Sequence, residues 1–151
     1  MLKSAFSNFV RMLGCSWLSF LASWIPLYIF RGTYFGEDRA VLENILMTVA
    51  GIVFACLFLV VITVKNDAVK KQDKKEILVG AFGGAALYAI LWIATKGIYV
   101  FSVCGRHFAL LLSRSADGVT FLSAFVSAVV FCAFYAMAIL LGALIAKKKQ
   151  A

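Results

Sequence analysis

Four stretches of this chain run for nineteen residues or more without a charged side chain: 12–30, 44–64, 77–95 and 119–146. About 20 residues of α-helix, rising ~1.5 Å each, cross the ~30 Å hydrocarbon layer of a bilayer. The rest of the composition closes off a soluble fold. Hydrophobic residues make up 64% and charged residues 15%, and the mean hydropathy is +0.97, whereas an ordinary globular domain is roughly half apolar and one quarter charged. A soluble chain of 151 residues cannot hide so much apolar surface. The expectation is an all-α integral membrane protein of one domain. Its four transmembrane helices cover about 12–30, 44–64, 77–101 and 119–146, the third continuing outward past Lys96 and the fourth long enough to tilt.

Orientation follows from the one long polar run, Lys65 to Glu76, which has five lysines among its twelve residues. With that loop in the cytoplasm, the inner segments hold Lys3, Arg11, Lys65, Lys70, Lys71, Lys74, Lys75 and Lys147 to Lys149, ten cations in all. The outer segments hold Arg31, Arg39, Lys96, Arg106 and Arg114, five in all. The positive-inside rule then predicts that both termini are cytoplasmic. Tyr28, Phe30, Tyr34, Phe35, Tyr99 and Phe101 gather at the outer boundary, where amphipathic rings prefer to sit. The net charge of +8 therefore points to a bilayer with anionic headgroups rather than to nucleic acid.

The remaining segments are short. Met1 to Arg11 reads as a weakly amphipathic piece lying at the inner interface. Pro26 stands one turn from the end of the first span and is expected to kink it. That span has a basic start but no small-x-small cleavage site, and further spans follow, so it reads as retained rather than as a signal peptide. In the loop 31–43, Asp38 is the expected N-cap of the second helix. Residues 105–116 are too short to span and read as either re-entrant or interfacial on the outer side.

Lipid-embedded helices gain little from apolar contact with one another, so rows of small residues mark where backbones approach. Ala124, Ala128, Cys132 and Ala136 form such a row, followed by Ala138, Gly142 and Ala146; Gly80 and Gly84 form another. These rows serve either the bundle's own packing or a partner helix, in a homo-oligomer or with other membrane proteins.

Chemistry is sparse. None of the four runs contains an ionisable Asp, Glu, Lys, Arg or His, which argues against a proton-coupled pump. Cys15, Cys56, Cys104 and Cys132 form no CxxC and are expected at different depths, so they read as small apolar residues. One histidine without ligand spacing makes a metal site improbable, and no cofactor is expected. An outer polar site remains possible at Glu37, Asp38, Arg106 and His107, since acid–base work needs His107 near a carboxylate.

The expected function is that of a non-enzymatic accessory or assembly component of a membrane complex. One alternative is a small transporter or channel whose uncharged pore is lined by Ser16, Ser19, Ser23, Thr48, Ser123 and Ser127. The other is a membrane enzyme built on the outer loops. The plasma (inner) membrane is the expected location. Lys148 and Lys149, fourth and third from the end, match the dilysine retrieval pattern and would place the chain in the endoplasmic reticulum if it is eukaryotic.

Overall fold

A computed structural model describes residues 2–31, 39–95, 103–113 and 119–149. It is helical, with no strand among the described residues. Six helices follow in order: α1 Leu2–Arg31, α2 Arg39–Lys65, α3 Asp67–Lys71, α4 Lys74–Ala94, α5 Val103–Ser113 and α6 Phe121–Lys148. Of these, α1, α2, α4 and α6 are long and apolar enough to cross a membrane.

The four long helices form a square. α1 packs on α2 and α4, and α6 packs on the same two, so α1 and α6 stand diagonally opposed. α1 and α4 run in the same direction, with Ser4 beside Gly80, Ala5 and Phe9 beside Gly84, and Ser16 hydrogen-bonded to Tyr88. α2 and α6 also run together, with Val60 and Thr63 beside Gly142 and Cys56 beside Phe134. Leu2, the lysine loop and Lys147 therefore share one end of the bundle, where Gln72 meets Ser4 and Lys147 comes near Lys74.

One expectation needs correction. Residues 2–11 are not a separate interfacial piece; they are the first turns of a single 30-residue helix. The cause is a buried stripe, Ala5, Asn8, Met12, Cys15, Ser19 and Ser23, spaced three or four apart and so on one face of α1. Pro26 lies inside α1, which continues to Arg31. Of the third span, expected to reach residue 101, the described part is α4, which ends at Ala94. Thr95 closes it: its N–H donates to Leu91 O at 3.1 Å and its Oγ1 to the same carbonyl at 2.7 Å. Residues 96–102, and Asp38 with the loop around it, lie outside the described residues.

At the other end of α4, the lysine run is structured. Asn66 caps α3 by accepting from Ala68 N at 2.9 Å, and Asp73 caps α4 by accepting from Glu76 N at 2.7 Å. Val69, the one apolar branched residue in the run, is buried against Ile77 and Ala143 and pins α3 to the bundle. Asp67 is fully exposed, and its bond to Lys70 holds its carboxyl below the usual range.

The centre is aromatic. Tyr88 and Tyr135 lie 5.5 Å apart and Phe131 and Tyr135 5.9 Å apart, both edge-on, the favourable geometry for such rings. Around them the close seams need small residues. A Cβ added at Gly84 would lie 3.0 Å from Ala5 O and from Phe9 N, backbone atoms that cannot swing away. At Gly14 an added Cβ meets nothing within 4 Å. Gly84→Ala should therefore lower the thermal midpoint in detergent, since overpacking costs ~1–3 kcal/mol. Gly14→Ala should hold or raise it, because glycine inside a helix costs about 0.5–1 kcal/mol relative to alanine. Equal midpoints for the two variants would contradict the seam.

Candidate functional site

Polar side chains collect in three places: a cluster on α5, the interior of the bundle, and a cleft at the lysine end. At the end of the bundle opposite the lysine run, α5 does not stand apart. It packs on α2 and α6, with a smaller contact to α1. Gly105 and Ala109 face inward, Ser127 Oγ donates to Gly105 O at 2.7 Å, and the rings of Phe108 and Phe131 lie 6.2 Å apart.

This packing places His107 beside α2, where its Nδ1 lies 2.5 Å from Asn44 Oδ1. A carbonyl oxygen only accepts, so the neutral tautomer with hydrogen on Nδ1 fits this pair. Burial, and then the neighbouring Arg106 charge, hold the His107 pKa below its ordinary 6.5, with Glu43 opposing them. Of the predicted outer polar site, Arg106 and His107 are placed on α5, whereas Glu37 and Asp38 lie outside the described residues, as do Arg114 and Asp117. The hydrogen-bond partner that the structure gives His107 is an amide, with the Glu43 carboxylate near enough to act on its charge.

In the interior, Ser16, Ser19, Ser23, Thr48, Ser123 and Ser127 are all buried. Their hydroxyls bond within the fold. Tyr88 OH donates to Ser16 Oγ at 3.2 Å, and Ser19, Ser23 and Thr48 donate to carbonyls one turn back on their own helices. Ser123 completes a reciprocal cap with Thr120 at the start of α6. Thr63 is the exception, buried beside Gly142 with no partner for its hydroxyl among the described residues. Ala124, Ala128, Cys132 and Ala136 are likewise turned inward. Trp92 Nε1 donates to Ala124 O at 2.9 Å, and Cys132 Sγ donates to Ala85 O at 3.2 Å. Gly80 and Gly84 lie against α1. Among the described residues no group of three His, Cys, Asp or Glu is arranged to hold a metal.

The third place was not anticipated. α1, α3 and α4 enclose a cleft of about 320 Å³ at the lysine end, lined by Lys3, Ser4, Ser7, Asn8, Arg11, Gln72 and Glu76 with Ala68 and Val69. Its signal is present in the sequence: Lys3, Ser4, Ser7, Asn8 and Arg11 recur at helical spacing, a polar stripe in an otherwise apolar segment.

No family model, curated protein or solved structure matches the chain.

His107 generates a pH dependence with a definite sign. Because its folded pKa lies below 6.5, the unfolded chain binds the proton first as pH falls. Its contribution to stability is complete above about pH 6.5 and declines below, until the folded pKa is passed. The thermal midpoint of the native protein should drop further between pH 7.5 and 5.5 than that of His107→Gln, and equal drops would remove the histidine from this account.

Proposed function

We propose that this four-span protein is a non-enzymatic accessory or assembly component of a membrane complex, oriented with its lysine end in the cytoplasm. The observation that carries the reading is the use of the interior polar groups. The six hydroxyls that an uncharged pore would require are engaged within the fold, Ser19, Ser23, Thr48 and Ser123 on their own helices and Ser16 and Ser127 between elements, and the one histidine is engaged with an amide. Such a bundle is suited to keeping its shape within an assembly. The small-residue rows on α6 are occupied by internal packing, so a partner would meet the outward faces instead. One such face is on α1, where Trp17, Leu18, Leu21, Trp24 and Ile25 are exposed.

Extraction of native membranes in a mild detergent should recover the chain in a particle of defined stoichiometry, much heavier than its own 16.5 kDa plus detergent. Recovery as a lone monomer, both there and after cross-linking in intact membranes, would sink the reading. The orientation is tested separately. Lys71→Cys and Lys148→Cys should resist a membrane-impermeant maleimide in intact cells and react after permeabilisation, because ten cations flank the inner ends and five the outer. Labelling from outside would invert the topology. The plasma (inner) membrane is the proposed location, or the endoplasmic reticulum if the carboxyl-terminal lysines act as a retrieval signal.

A further inference from the structure

We propose that the cleft between α1, α3 and α4 is a binding site for a phosphate-bearing amphiphile or small molecule whose other end donates hydrogen bonds. Arg11 is its principal cation, and Lys3 lies at its rim. The inference is independent of the accessory role.

The position of Arg11 is the first reason. It lies seven residues beyond Ser4, about 10 Å further along the helix. The α1–α4 seam sets its level, since Asn8 adjoins Gly84 below it and Ser16 meets Tyr88 above it. Arg11 is thus alongside the bundle, not beyond its end. A guanidinium at such a level is unfavourable against hydrocarbon and persists where it faces a cavity or a counter-charge. Here it lines the cleft.

Its donors are the second reason. A guanidinium has five N–H donors in a fixed fork. Among the described residues Arg11 makes one side-chain bond, from Nη1 to Asn8 Oδ1 at 3.1 Å. Neither Arg11 nor Lys3 is, among the described residues, in an ion pair with a carboxylate, as Lys70 is with Asp67. The uncommitted edge of the fork matches two phosphate oxygens. Ser4 and Ser7 hydroxyls and the amides of Asn8 and Gln72 add neutral donors.

The third reason is that the walls are fixed. Gln72 Nε2 donates to Ser4 Oγ at 3.4 Å across the cleft, and buried Val69 holds α3 against Ile77 and Ala143. At about 320 Å³ the cleft is at the small end of ligand pockets. Its one carboxylate, Glu76, disfavours a bare anion but accepts from an ammonium or hydroxyl on the same ligand. A phosphate paired with a primary amine satisfies both walls. A phosphatidylethanolamine headgroup and free phosphoethanolamine share that chemistry.

Two arms of one experiment separate these sources. Purified protein is exchanged into nanodiscs of equal phosphatidylethanolamine and phosphatidylcholine, and retained lipid is read by native mass spectrometry. In parallel, lipid-free protein in maltoside detergent is titrated with phosphoethanolamine. Native protein should retain phosphatidylethanolamine over phosphatidylcholine, which marks a headgroup site, or bind the free compound, which marks a soluble ligand. In either arm Arg11→Gln should reduce occupancy at least tenfold, and Ser7→Phe, which fills the cleft without removing charge, should do the same. Lys148→Gln, outside the cleft, should change nothing. Ser7→Phe keeps the test decisive if Arg11→Gln fails to fold. Binding of neither probe by native protein, or native occupancy in the folded cleft variants, overturns the proposal.

Discussion

Everything in this bundle depends on how closely the backbones of α1 and α4 approach. In a lipid environment, apolar contact between helices replaces equivalent contact with acyl chains, so the gain must come from packing and from polar bonds. Gly80 and Gly84 remove the side chains that would separate the two helices, and Ala5 and Asn8 enter the space. That seam draws residues 2–11 into the bundle, fixes the level of Ser16 against Tyr88, and brings the first turn of α1 to the lysine segment. Gly142 performs the same service between α2 and α6.

The interior that results is more polar than the composition suggests, and its polarity is mostly local. A serine or threonine that bonds one turn back on its own helix needs no partner helix and tolerates an apolar neighbour. Ser19, Ser23 and Thr48 behave this way. Three other contacts tie separate elements: Tyr88 to Ser16, Trp92 to the carbonyl of Ala124, and Ser127 to the carbonyl of Gly105. They reach α1, α4, α5 and α6, and they orient helices whose apolar surfaces would otherwise slide.

Much of this was legible in the sequence because the bilayer sets a length scale. The uncharged runs located four helices, and glycine and alanine four apart marked two of the faces that pack. What was misread has a common cause. Counting charge-free residues treats Lys3 and Arg11 as the edge of a span, yet periodicity, not charge, decides whether a helix continues, and Ala5, Asn8, Met12 and Cys15 keep the period. The cleft escapes a charge count for the same reason, since its polar stripe reads as an interfacial edge. The placement of α5 was beyond reach, because its contacts join residues far apart in sequence, such as His107 and Asn44, and no local pattern encodes them.

The parallel pairing of α1 with α4 also sets an order of assembly. Ser4 and its partner Gly80 are separated by 76 residues, and ribosomes add roughly 5–20 residues per second, so α1 precedes its mate by about 4–15 s. Through that interval the face carrying Asn8 and Arg11 has neither α4 nor α3 to enclose it, and the newborn α1–α2 hairpin holds a guanidinium with no cleft around it. Gly80 and Gly84 thus do more than admit a neighbour: until the helix that carries them is made, the guanidinium of Arg11 lacks the surroundings that the finished fold gives it.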